Sequence, residues 1–277
     1  MNKKILAVII VYQPNLRLLI DDIKSFCDNV ECTIIWDNSD VTKAKKTKKE
    51  LQKKFDHIIF MGDGINRGIS YGLNKGWHYA RDNGYEYMLT MDDDSIFEDF
   101  RPFLQSVINK GKKALYGPNT IKKNHRKGFE KVNHLITSGM IVPVDLLDKA
   151  GGYYSNFFVD GIDIELCLHI KELGYECLMK NDSFLHQRYG NTISKSFLGH
   201  TFHSPNYSPF RLYGIFRNHI IILRKYRYPF SLLMHIIKLY FFGFVIKGIL
   251  LMENNKIEKI RSVIKGIKDG LNYQITR

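Results

Sequence analysis

The chain is poor in cysteine and has no long uninterrupted apolar run. Four cysteines stand among 277 residues, at Cys27, Cys32, Cys167 and Cys177, and no two form a CxxC pair. That spacing excludes a CxxC metal or redox motif and predicts reduced thiols in a cytoplasmic protein. Lys3 and Lys4 precede the apolar run Ile5 to Val11. Seven apolar residues then give way at once to Tyr12-Gln13-Pro14, without a small-residue cleavage site, so no secretory signal is expected here. The most apolar segment, Pro229 to Met252, is interrupted by His235, Lys238 and Lys247. Eight residues separate the two lysines, whereas spanning a bilayer takes roughly 20. The two lysines fall about 180° apart on a helical wheel. With Arg224, Lys225 and Arg227 beside it, the segment is expected to lie in a membrane interface while its lysines snorkel. The alternative is a helix packed on the rest of the protein or on a partner subunit. Repeats and low-complexity linkers are also missing.

Acidic residues are scarce towards the C-terminus. The net charge of +13 divides unevenly, with 13 Lys/Arg against three Asp/Glu in residues 201–277 and 28 against 25 in residues 1–200. A basic C-terminal region suggests an anionic partner: membrane phospholipid, a pyrophosphate-linked substrate or nucleic acid. A second basic run, Lys43 to Lys54, holds seven lysines and one Glu. It lacks interleaved aromatics and reads as a solvated helix face. At 44% hydrophobic and 25% charged residues, the composition is that of a globular chain with a sizeable core.

Strands and helices alternate along the first half. Lys4 to Tyr12, Cys32 to Trp36, His57 to Met61 and Tyr85 to Met91 are short apolar runs of buried-strand type. Between them lie a stripe at Leu16, Leu19, Ile20, Ile23 and Phe26, the lysine-rich helix, and a helix over about 70–83. Ile136 to Val142 and Cys177 to Met179 read as further strands, and Asp163 to Leu173 as a helix stopped by Gly174. This is an α/β order, and three strands end in Tyr12, in Asp37 and in Asp92-Asp93-Asp94. In open α/β sheets ligands bind beyond the strands' carboxyl ends. An aspartate cluster there suits Mg2+ or Mn2+, which take one or two carboxylates plus substrate phosphates. Taken alone, the triplet reads equally as an acidic turn or a helix N-cap.

The motifs follow one another in an informative order: Val11-Tyr12 with Pro14; Trp36-Asp37-Asn38-Ser39; Asn66-Arg67-Gly68-Ile69-Ser70 with Asn74-Lys75-Gly76; and Leu89 to Ser95 around the triplet. Ile136-Thr137-Ser138-Gly139, Phe158 to Glu165, Gly174-Tyr175, His186, and Ser208 to Tyr213 with Arg217-Asn218 complete the series. In this series the chain resembles glycosyltransferase family 2, and within it the bacterial rhamnosyltransferase-like members. The resemblance implies a GT-A fold: a Rossmann-like nucleotide-binding, mixed and mostly parallel sheet flanked by helices. That catalytic domain would cover residues 1–200, with nucleotide-sugar binding roughly in 1–100 and the acceptor half in 101–200. Residues 201–277 would form a helical, basic and apolar extension.

The resemblance also implies roles for individual residues. Tyr12 and Asp37 would line the nucleoside pocket, although Asp37 could instead only cap a turn with Asn38 and Ser39. Asn66 and Gly68 would let the chain pass close to the donor, unless the glycine serves an ordinary strand-to-helix turn. Asn74 would face the donor from its helix. Asp92, Asp93 and Asp94 would contact the donor, Asp92 and Asp94 through a divalent metal, with His186 as a further ligand. Asp163 would be the catalytic base of an inverting displacement, taking the acceptor hydroxyl's proton. Asp160 and Glu165 share its acidic cluster, and spacing alone does not choose among the three. The family's Arg six residues after the base is His169 here. Arg188 and Arg211 would bind donor phosphate, since guanidinium forks suit phosphate oxygens. Ser138, Gly139, Asp160 and Arg217 would lie towards the acceptor.

The expected reaction moves a sugar, L-rhamnose from dTDP-rhamnose, onto a saccharide or polyprenyl-linked acceptor in cell-surface polysaccharide synthesis. Mg2+ or Mn2+ would be the cofactor, and the enzyme would sit peripherally on the inner face of the plasma membrane. A transferase for galactofuranose, glucose or galactose is the nearest alternative. A basic nucleic-acid-binding protein is a remote one: zinc-finger and RRM signatures are missing, and the clustered acids would repel phosphate unless a metal intervened.

Overall fold

The computed structural model describes residues 4–120, 126–187, 192–197, 200–226 and 238–275. Arg188 and residues 229–237 of the apolar segment lie outside the described residues. The chain divides into two compact units, Met1–Phe158 with Ile162–Arg188, and Val159–Gly161 with Tyr189–Arg277.

In the first unit a nine-stranded mixed sheet carries the order β3-β2-β1-β4-β8-β6-β9-β5, with β7 also on β9. The strands are β1 (Ile5–Val11), β2 (Cys32–Asp37), β3 (Ile58–Met61), β4 (Tyr87–Met91), β5 (Ser95–Phe97), β6 (Ala114–Asn119), β7 (Phe129–Lys131), β8 (Met140–Pro143) and β9 (Glu176–Gln187). Strands β3, β2, β1 and β4 are parallel, so their carboxyl ends share one edge. β8 runs antiparallel to β4 and β6, which lets residues just before β8 return to the end of β4. The β-branched, uncharged sequences of β1 and of β2 as far as Trp36 suit burial on both faces.

Helices cover the sheet: α1 (Leu16–Lys24), α2 (Val41–Gln52), α3 (Ile69–Asp82), α4 (Phe100–Lys110), α5 (Val144–Ala150) and α6 (Ile162–Glu172). Asn15 and Asp40 cap α1 and α2 by accepting two backbone N–H bonds each, which satisfies donors a helix start leaves open. The core joins Leu19 and Ile23 of α1, and Phe26 just after it, to Ile9, Leu89, Phe100 and Phe103.

The second unit holds a hairpin of β10 (Ile193–Phe197) and β11 (His200–Ser204), then α7 (Pro209–Lys225), the π-helical segment α8 (Lys238–Met252) and α9 (Lys256–Asn272). Leu212, Ile215 and Phe216 of α7 pack with Val245, Ile249 and Val263. Among them lies a buried ion pair, Lys259 with Glu253 at 2.7 Å. Lys259 also donates to Asn206 Oδ1, and the Ser204 hydroxyl to Glu253, so the pair is hydrogen-bonded on both sides. Such completion is what a buried charge pair requires. Among the described residues no helix is long and apolar enough to cross a membrane.

Candidate active site

The site forms where β1, β2 and β4 end. Asp37 closes β2 and is buried; its Oδ1 accepts the Ser39 N–H at 2.8 Å, while its Oδ2 has no hydrogen-bond partner. One oxygen caps the turn, and the other is buried without a hydrogen-bond partner. Tyr12, just past β1, is exposed. Asn38 Oδ1 accepts from Trp36 Nε1 and the Arg67 N–H, both at 3.0 Å, and its amide donates to Gly68 O. Asn38 therefore latches the 66–68 loop to the end of β2. Asn66 accepts the Gly68 N–H at 3.1 Å, a turn inside that loop.

Gly68 and Asn74, both expected near the donor, make defined contacts within the protein. Gly68 has φ +82°, and a Cβ there would lie 2.6 Å from Phe158 O. The close approach it permits is to Phe158, whose carbonyl also accepts the Ile69 N–H. Asn74 donates to Tyr153 O and accepts the Tyr153 N–H at 2.9 and 2.8 Å. With both ends of its amide bonded to one backbone residue, Asn74 joins α3 to the segment after α5.

The triplet follows β4. The Asp92 N–H donates to the buried Ser138 hydroxyl, and the Gly139 N–H to Thr90 O. Ser138 and Gly139, expected towards the acceptor, thus brace the end of β4 from the turn before β8. Gln187 Nε2 donates to Asp92 Oδ2 at 3.1 Å. Burial first, then Asp94, Asp93 and Asp163, pushes Asp92 up to about 7; the Gln187 bond acts the other way. Burial, then Asp94, pushes Asp93 up to about 6, with Asp37 adding to it. A shift from Asp163 on Asp92 means that these carboxylates lie within electrostatic reach. Asp163 itself stands in the first turn of α6, where its Oδ1 accepts the Ile164 N–H. Glu165 is fully buried.

One acid was not expected. Asp22 interrupts the apolar stripe of α1, is fully buried, and has no hydrogen-bond partner on either carboxyl oxygen. Burial and then the charges of Asp92, Asp93 and Asp94 hold it well above the usual carboxylate range. The sequence signal was available: an aspartate between Leu19 and Ile23, on the inward face of a helix.

His186 does not assemble with Asp92 and Asp94 as expected. It stands opposite Ile96 in the β5–β9 register, and its Nε2 lies 3.8 Å from a Glu98 oxygen. Neighbouring strand residues point to opposite faces, so Gln187 is the side chain turned to Asp92. Among the described residues no three His, Cys, Asp or Glu side chains converge as a ready metal cage. The donor set still fits a hard divalent cation. Oxygen ligands crowd at Asp92 and Asp94, their mutual repulsion calls for positive charge, and Mg2+-type sites are completed by substrate phosphate.

Asp160, Arg211 and Arg217 belong to the second unit. Arg211 binds Asp160 through Nε and Nη2 at 2.9–3.3 Å and stacks over Tyr207 at 4.3 Å. Arg211, expected at donor phosphate, and Asp160, expected towards the acceptor, are thus paired with each other. Arg217 donates to Asn218 Oδ1 and lies over Tyr273.

Residues 7–159 match the profile described as Glycosyl transferase family 2. Over 98% of this chain and 96% of its own length, a dTDP-rhamnosyl transferase, RfbF of Shigella flexneri, is 27% identical. Two solved structures share the fold at low identity. The mannosyltransferase PcManGT from Pyrobaculum calidifontis, in complex with GDP-Man and Mn2+, superposes with a TM-score of 0.62 at 10% identity, over 100% of this chain and 77% of that one. GalNAc-T7 with UDP, GalNAc and Mn2+ gives 0.62 at 11% identity, over 80% of this chain; the chain spans about half, 48%, of that protein.

Proposed function

Because the chain belongs to glycosyltransferase family 2 and has the GT-A architecture of its structural neighbours, we propose that it is an inverting, metal-dependent rhamnosyltransferase using dTDP-rhamnose. The observation carrying this reading is the gathering of buried Asp37 and of Asp92 at the carboxyl ends of β2 and β4, with Asp163 within electrostatic reach of Asp92. The donor identity rests on likeness to the Shigella flexneri dTDP-rhamnosyl transferase.

Asp37, through its unpaired oxygen, and the exposed Tyr12 bind the nucleoside. Asp92 and Asp94 would hold Mg2+ or Mn2+, which would supply positive charge against the departing diphosphate. Gln187 and Ser138 keep Asp92 in place. Asp163 accepts the proton of the acceptor hydroxyl as that oxygen bonds to the anomeric carbon and the bond to the diphosphate breaks. The acceptor is a saccharide or a polyprenyl-linked glycan of the cell surface, and the enzyme works in peripheral contact with a membrane. The basic residues of 201–277 support an anionic, lipid-linked acceptor.

The test follows nucleotide release and sugar transfer with Mg2+ or Mn2+ across dTDP-, UDP- and GDP-sugars. Rhamnosyl transfer from dTDP-rhamnose is expected; turnover only with a galactofuranose, glucose or galactose donor would replace the rhamnose reading. Asp163→Asn should abolish transfer, at least about 10²-fold, with donor binding retained. Loss of donor binding in that variant would make Asp163 a donor ligand instead of the base. Absence of metal-dependent turnover with every donor, alongside salt-sensitive RNA binding, would overturn the enzyme reading.

A further inference from the structure

Helix α9 is amphipathic twice over. One face, Lys259, Val263, Gly266 and Gly270, is buried. A second carries Ile257, Ile264 and Leu271 at seven-residue spacing, exposed to 71%, 61% and 55%. Seven residues are close to two helical turns, so the three side chains form one apolar line. Leu251, near the start of this helix, is 67% exposed as well. An aliphatic line of this kind on a water-facing helix marks an interaction surface rather than scattered surface leucines.

The charges beside the line select the occupant. Written as a heptad with Ile257, Ile264 and Leu271 in one core position, Ile260 and Ile267 take the other, and the flanking positions hold Arg261 and Lys268 on one side and Val263 and Gly270 on the other. A second copy of this helix would bring cation against cation or against an uncharged residue, with no opposite charges to pair at the flank. An anionic bilayer accepts both features: its acyl boundary takes the apolar line, and its headgroups take Arg261 and Lys268.

We infer that the Ile257–Ile264–Leu271 face of α9 docks on an anionic phospholipid surface. This deepens the peripheral membrane contact proposed above and rests on that reading; it places the contact on α9 rather than on the apolar segment 229–252.

Full-length protein is to be sedimented with vesicles of phosphatidylcholine alone and of phosphatidylcholine with phosphatidylglycerol in equal parts. Binding to the anionic vesicles is expected, with little to the neutral ones. The triple variant Ile257→Ser, Ile264→Ser, Leu271→Ser changes only exposed side chains, so it should keep its melting temperature while vesicle partitioning falls about 10²-fold or more. Arg261→Glu with Lys268→Glu should weaken binding to anionic vesicles and leave the neutral ones unchanged. Retention of full binding by the triple variant would overturn the inference. So would a wild-type dimer that the triple variant dissociates, with no vesicle binding by either. Thermal stabilisation by dTDP-rhamnose with Mg2+, measured on the same preparations, separates failure of docking from failure of the transferase reading.

Discussion

Asp92 is acted on by three other carboxylates, Asp94, Asp93 and Asp163, after burial itself. Raised to about 7, with Asp93 at about 6, these groups keep protons in the fold that an unfolded chain would release near pH 4. Their folded-state pKa lies above the unfolded one, so the stability they contribute is complete at acid pH and is lost as pH rises through 6 to 7. The metal-free protein should therefore lose melting temperature between about pH 5 and about pH 8, and Asp92→Asn should lose less. Mg2+ competes with protons for the same oxygens, so its stabilising shift should grow over the same interval. Scanning calorimetry with and without Mg2+ checks both; a metal-induced shift larger at pH 5 than at pH 8 would contradict the assignment. Sequence spacing could nominate Asp92 and Asp94 but not Asp22, whose two oxygens matter only because α1 carries them towards the triplet. The partners of Asn74 and Arg211 within the protein also escaped the sequence. An amide or guanidinium has the same donors wherever it stands, and its partner is chosen by the fold: Tyr153 for one and Asp160 for the other.

Among elements, the buried strands β1, β2 and β4 and the helices α3 and α6 were legible because their apolar periodicity is local. Strand β9 was not. Its sequence breaks at Lys180-Asn181-Asp182, and the strand read from sequence was the short Cys177 to Met179. The structure continues it as twelve residues, because Lys180 pairs with Asp182, Asn181 donates to Glu130, and a register shift opposite Asn119 absorbs the irregularity. Helix α7 supplies another tertiary contact. Asn218 Nδ2 donates to the carbonyls of Val159 and Asp160 at 2.8 and 2.9 Å, and Asp160 has φ +59°. Two carbonyls at a left-handed turn thus share one donor. Asn218→Ala should lower unfolding stability by about 1–3 kcal/mol, read as a lower urea midpoint at unchanged slope. An unchanged midpoint would show that water replaces the amide without loss.

At the scale of the whole molecule, charge is the property most directly inherited from sequence. The excess of 13 positive charges, ten of them in residues 201–277, should make capture of anionic vesicles fall steeply as salt is raised from low ionic strength to about 0.5 M, because the Debye length then shrinks below about 5 Å. A salt-independent vesicle affinity would leave the apolar line of α9 as the whole of the attraction. Fold class, the convergence of Tyr12, Asp37 and Asp92 to Asp94 at strand ends, and the basic C-terminal region were determined by the sequence alone. Each depends on residue type and on periods of two or 3.6 residues, which are properties of neighbours along the chain. Only the tertiary structure decided that Gln187 rather than His186 turns to Asp92, that Ser138 braces the triplet, that Asp22 lies buried within reach of its charges, and that Asp163 lies within electrostatic reach of Asp92. These are relations between different strands and helices of the first unit, between residues up to 95 positions apart. Hydrogen bonding and Coulomb energy depend on distance in space, which no spacing along the chain encodes.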